Sequence, residues 1–154
     1  MGYTTEFEGS ITISPALNQK EIDYINAFSD TRRMHRKNGP YFVGGDESDV
    51  IDYNKPARGQ PELWCQWVVN EEGTEISWDG NEKFYSAKEW MAYIIDHFIG
   101  INPIAQKSNR DFDFLNGHIC NGTIVADGED SGDIWVINVV DNVVTTKRGA
   151  VAFD

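Results

Sequence analysis

Residues 118–146 read HICNGTIVADGEDSGDIWVINVVDNVVTT. Two runs rich in β-branched residues, HICNGTIVA and DIWVINVV, flank DGEDSGD, a stretch made almost wholly of turn-forming residues. Asp141-Asn142 then turns the chain into VVTT. Three strands with such short connections read as an antiparallel meander, because a parallel neighbour would need a crossover of about a dozen residues or more. A short tail over 148–154 follows.

Working upstream, TTEFEGSITI places Thr5, Phe7, Ile11 and Ile13 on one face at period two, and Pro15 closes that strand. Asn18 and Glu21 form a capping box, with Leu17 and Ile22 spaced for a hydrophobic staple. Ile22, Ile25 and Phe28 stripe the helix that follows, which is expected to fade over Arg33–Arg36. LWCQWVV and TEISW flank NEEG, a hairpin signal with Gly73 at the turn. Cys65, Trp67 and Val69 alternate with Trp64, Gln66 and Val68, so both faces carry bulk, which predicts a central strand. Ser86 and Glu89 read as a second capping box, Tyr85 and Trp90 as a staple. Trp90, Met91, Ile94, Ile95 and Phe98 form one apolar face that Gly100 ends. The order β-α-β-β-α-β-β-β predicts a single α+β domain over 1–154, with a mostly antiparallel sheet of five or six strands and two helices on one face.

Residues 37–62 show no clear period and read as a long loop. Its anchors Tyr41, Phe42, Val43, Val50, Ile51 and Tyr53 should pack it over the body, with YFV available as a short edge strand.

The chain's 154 residues suffice for one core, and its five Trp, six Tyr and eight Phe argue against disorder. Twenty-five Asp and Glu against 13 Lys and Arg give a net charge of −12. That balance speaks against direct nucleic-acid binding and against docking on anionic lipid. It suits a basic or nucleic-acid-binding protein as partner. The start MGYTTEFEG lacks the basic and apolar regions of a signal peptide, and Glu6 stands where a myristoylation signal needs Ser or Thr. AYIIDHFIGI is too short to span a bilayer. The Asn121-Gly122-Thr123 acceptor then has no meaning, and a cytoplasmic protein with reduced thiols is expected.

Read together, GYTTEFEG, RGQPELWCQW, WDGNEKFY and GEDSGDI…VVDNVV resemble a family of small uncharacterised acidic proteins from bacterial and bacteriophage genomes. The similarity runs over most of the chain, the segments GGDESDVID and INPIAQKSNRDFD excepted. It implies a small accessory protein of phage or bacterial origin acting on a host protein, and no particular functional residues.

Chemistry is sparse. His118 and Cys120 share a strand face that Cys65 could join, but zinc needs three or four close ligands and no CxxC pair exists. Asp127, Glu129, Asp130 and Asp133 lack the EF-hand spacing for calcium. Neither a nucleophile elbow nor a Walker loop nor HExxH is present, and Cys65 between two tryptophans reads as inert. No cofactor and no metal are expected, and a binding protein is favoured over an enzyme. The one conspicuous cluster is RRMHRKNGPYFVGG at 32–45, where Arg32, Arg33, Arg36 and Lys37 concentrate four of the thirteen cations. Three readings compete. The cations could complement the dipole at a helix end, or pair internally with GGDESD. Alternatively, with Gly44, Gly45, Arg58, Trp64 and Trp67, they could bind an anionic small molecule or nucleotide, or serve a nucleotide-processing enzyme.

Overall fold

The computed structural model describes residues 3–149. Eight strands and three helices follow in the order β1 (Thr5–Ser14), α1 (Gln19–Ser29), β2 (Met34–Arg36), β3 (Val50–Pro56), β4 (Trp67–Val69), β5 (Glu75–Trp78), α2 (Ala87–Ile94), α3 (Ile104–Ser108), β6 (Ile119–Gly128), β7 (Ile134–Val140) and β8 (Val143–Arg148). Six strands form one antiparallel sheet in the order β4-β5-β1-β6-β7-β8, and β2 and β3 form a separate ribbon. This is the α+β class expected. Alternation along β1 buries Phe7, Ile11 and Ile13, and their ladder partners Ala126, Ile76 and Cys120 are buried on the same side. Ile22, Ile25 and Phe28 of α1 and Trp90, Met91 and Ile94 of α2 join these residues in one core. The opposite face, with Glu6, Glu8, Thr12, Thr123 and Asp127, stays open. One buried and one wet face is what an antiparallel sheet permits.

The β1–β6 ladder, ten residue pairs long, is the centre of the sheet. Gly9 and Gly122 stand at its closest approach. A side chain at Gly9 would come within 2.8 Å of the Thr123 carbonyl, and one at Gly122 within 2.7 Å of the Ser10 carbonyl, and both have positive φ. The meander read from 118–146 is present, with Asp141 and Asn142 in the left-handed region that a two-residue hairpin turn requires. The last strand runs on through Arg148, and the Gly149 N–H still reaches the Ile134 carbonyl. The first residue of the tail expected over 148–154 is therefore part of the strand. Residues 150–154 lie outside the described residues.

Several local expectations are corrected. Residues 37–62 are not one loop: β3 lies inside them, and most of its residues are exposed, so no apolar alternation betrays it. YFV forms no strand. Helix α1 stops at Ser29 rather than over Arg33–Arg36, because Met34–Arg36 pair with β3 and the Arg33 N–H bonds the Leu63 carbonyl. β4 is a three-residue edge strand, not a central one. Its outer backbone is covered by side chains of α1. Asn26 takes both the N–H and the carbonyl of Val69 at 2.9 and 3.1 Å, and Ser29 Oγ donates to the Trp67 carbonyl at 2.6 Å. Two polar residues of α1 thus stop the sheet where another strand would otherwise add.

The first capping box forms as read, Asn18 and Glu21 each binding the other's backbone N–H. The second does not. Ser86 lies at φ 60 in the left-handed region with no side-chain cap, and Tyr85 is half exposed while Trp90 is fully buried. Beyond Ile94 the helix widens into a π-turn over Ile95–Ile99. The segment INPIAQKSNRDFD, which lies outside the family resemblance, supplies α3 and a short 3-10 turn, Arg110–Phe112.

Candidate functional site

The basic stretch turns inward. Arg33 is 2% exposed, its guanidinium 4.1 Å from the Phe28 ring centre. It donates to the carbonyls of Thr31 (3.1 Å), Pro40 (3.0 Å) and Phe42. Burial holds its pKa down to about 10. Arg36 is 5% exposed, lies over the Phe42 ring, and binds Asp49 Oδ1 at 2.9 Å and the Asp46 carbonyl at 2.7 Å. Arg32 Nε donates to the Tyr53 carbonyl at 3.1 Å. The second of the three readings, internal pairing with GGDESD, describes Arg36. Arg33 and Arg32 satisfy carbonyls of the same segment, so together the three fasten residues 40–53 to the body. A buried guanidinium has five donors to place, and backbone carbonyls at a fold-back are suitable acceptors.

Of the other residues proposed with them, Lys37, Gly44, Gly45 and Arg58 are exposed. Trp67 is fully buried, its indole N–H bonded to the Ala87 carbonyl at 2.8 Å, so it offers no face to a ligand. Trp64 is 40% exposed and belongs to a different environment. The structure therefore does not bring the nine residues into one cavity.

Trp64 lines a cleft of about 410 Å³ with Ser29, Asp30, Gln66, Asp79, Asn81 and Glu82. Its floor is rigid for identifiable reasons. Gln66, nearly buried, accepts from the Trp78 indole at 3.1 Å and donates to the Glu82 carbonyl at 3.2 Å, while its own carbonyl receives the Asp79 N–H at 3.0 Å. Asp79 Oδ1 accepts the Asn81 N–H at 2.9 Å, closing the turn. Asp30 caps the C-terminal end of α1, whose last turn contains no basic residue. The negative end of the helix dipole, an aspartate on top of it and two further carboxylates thus share one concavity. No Lys or Arg lines it, and among the described residues none of Asp30, Asp79 and Glu82 is in an ion pair. This arrangement attracts a cation, and the half-exposed indole of Trp64 can stack on a planar or quaternary one.

A second hollow of about 490 Å³ shares Ser29, Asp30, Asp79 and Asn81 with the first and extends to Asn26, Ala27 and Val68. Trp64 was legible as a candidate, and the structure places it beside carboxylates rather than beside Arg32, Arg33 and Arg36. The acidic half was missed because Asp30 and WDGNE lie far apart in sequence and meet only once α1 caps β4. WCQW and WDGNEKFY are hydrogen-bonded neighbours, and both contribute residues to the lining of this cleft.

The remaining candidates are structural. Glu21 and His118 are 0% and 1% exposed and pair at 2.8 Å through Oε2 and Nε2. Glu21 also accepts the Asn18 and Asn116 N–H groups, and His118 Nδ1 faces the Pro15 carbonyl at 2.6 Å. The Cys65 and Cys120 thiols are buried and free, and burial pushes them up to about 11 and about 12, which suppresses thiolate chemistry. In DGEDSGD, Glu129 accepts the Thr4 N–H, and Asp133 binds the Tyr3 hydroxyl and Arg148. Among the described residues no group of three or more His, Cys, Asp or Glu is placed to hold a metal, and no helix is long and apolar enough to cross a membrane.

Comparison with family models, curated proteins and solved structures finds no match to the chain.

Proposed function

We propose that this is a non-catalytic accessory protein that binds a basic protein and receives one of its cationic side chains in the Trp64 cleft. The observation that carries the reading is the cleft itself: three carboxylates that make no ion pair among the described residues, the negative end of α1 and an accessible indole, with no cation among the lining residues. The net charge of −12 acts in the same direction at long range, steering a basic surface toward the molecule. The family resemblance suggests a bacterial or phage setting and a host protein as the partner. The rival reading, an anion or nucleotide site at 32–45, has less support, because Arg33 and Arg36 are buried, Arg33 donating to the Thr31, Pro40 and Phe42 carbonyls and Arg36 through Nη1 to Asp46 and Asp49.

The test is a fluorescence and melting titration at low salt with N-acetyl-arginine amide and, in parallel, with ATP. Binding of the arginine amide should alter Trp64 emission and raise the melting temperature by mass action. The double variant Asp79→Asn, Glu82→Gln should weaken it about tenfold or more, the scale expected for lost charge-assisted hydrogen bonds. No response to the arginine amide, with a response to ATP that the double variant leaves intact, would reverse the assignment.

A further inference from the structure

We infer that the occupant of the cleft is an extended segment of the basic partner's chain, held by side chains at two places, rather than a lone cationic group. This rests on the reading above and adds to it the shape of the ligand. The two hollows share four residues and form one open groove. Their walls differ in kind. The Trp64 end is acidic, with Asp30, Asp79 and Glu82. The far end runs along the last turns of α1, where Ala27 and Val68 add an apolar wall to the shared polar one. A cationic residue at one end and a small apolar residue at the other match this division, and charge complementarity fixes which end takes which.

The backbone of β4 excludes a common alternative. A peptide beside an edge strand usually adds to the sheet, but here Asn26 already occupies the outward N–H and carbonyl of Val69, and Ser29 the carbonyl of Trp67. The segment therefore lies in the groove without strand pairing, and its affinity comes from side chains.

Four probes separate the possibilities: N-acetyl-arginine amide, acetyl-Arg-Gly-Gly-amide, and the pair acetyl-Arg-Gly-Val-amide and acetyl-Val-Gly-Arg-amide. Affinities are read from Trp64 fluorescence, and contacts from backbone amide shifts in an isotope-labelled sample. One of the two valine peptides should bind about tenfold more tightly than the glycine peptide, roughly the value of one apolar side chain buried. It should also move the amides of Ala27 and Val68, which the arginine amide leaves in place. If the arginine amide binds and neither valine peptide gains over the glycine peptide, the extended ligand is wrong while the cation site stands. If the gain appears without shifts at Ala27 and Val68, the second compartment is likewise wrong. Failure of all the probes to bind removes both readings.

Discussion

Glu21 is the residue on which most local structure converges. It completes the cap of α1, holds the N–H of Asn116 and pairs with His118 just ahead of β6. Burial alone would raise its pKa, but the hydrogen bonds from His118, Asn18 and Asn116 outweigh it and leave the carboxyl below its ordinary 4.5. His118 mirrors this: burial would lower it, yet the bonds to Glu21 and to the Pro15 carbonyl hold it above its ordinary 6.5. The signs follow from linkage. The Glu21 contribution is complete above pH 4.5 and lost as pH falls through its depressed value. The His118 contribution is complete below pH 6.5 and lost as pH rises through its elevated value. His97, which burial pushes down to about 4, is neutral in the fold above pH 6.5, and the residual protonation of its unfolded form opposes the His118 slope only close to that pH. Urea unfolding should therefore show stability falling as pH rises above 6.5 in the native protein, and His118→Gln should remove that fall. An unchanged slope in the variant would mean that the pair is not charged.

Among the elements, α1 does the most with the fewest residues. One face, Ile22, Ile25 and Phe28, fills the core, and Asn26 and Ser29 close the edge of β4. Replacing Asn26 by Ala strips two hydrogen bonds from Val69, each worth about 1 kcal/mol net and more where the backbone group is left dry. Alanine's better helix propensity returns roughly 0.5 kcal/mol. A net loss of about 1–2 kcal/mol is expected in chemical denaturation, together with concentration-dependent association through the uncovered strand in sedimentation. Stability within about 0.5 kcal/mol of wild type and a strictly monomeric variant would show that water replaces Asn26 without cost.

For the whole molecule, the net charge of −12 should oppose compactness by self-repulsion. Raising NaCl from about 20 to about 300 mM shortens the screening length from about 20 Å to well under 10 Å. Melting temperature should rise by about 2–4 °C, equivalent to roughly 1 kcal/mol in a chain of this size. Affinity for a cationic probe should fall over the same range. A melting temperature that falls instead would mean that specific pairs such as Arg36–Asp49 outweigh the general repulsion.

By itself the sequence determined what short-range physics controls. Phe7, Ile11 and Ile13 at period two, the Asn18–Glu21 cap, the NEEG turn and the 118–146 meander all depend on residues within a few positions of one another. They imply the α+β class. Tertiary structure decided what depends on distant partners. β3 became a strand although its residues face water, because Met34–Arg36 were there to pair with it. Ser86 lost its cap to a left-handed turn, and β4 became an edge because α1 lies across it. The arginines at 32–36 turned onto the fold because carbonyls 7 to 21 residues further on, with Asp49, offered acceptors, part-buried for Arg33 and Arg36 and exposed for Arg32. The cleft followed from the same folding. Its acids come from the end of α1 and the turn after β5: the β4–β5 hairpin brings Asp79 and Glu82 to Gln66, and the packing of α1 on β4 adds Asp30.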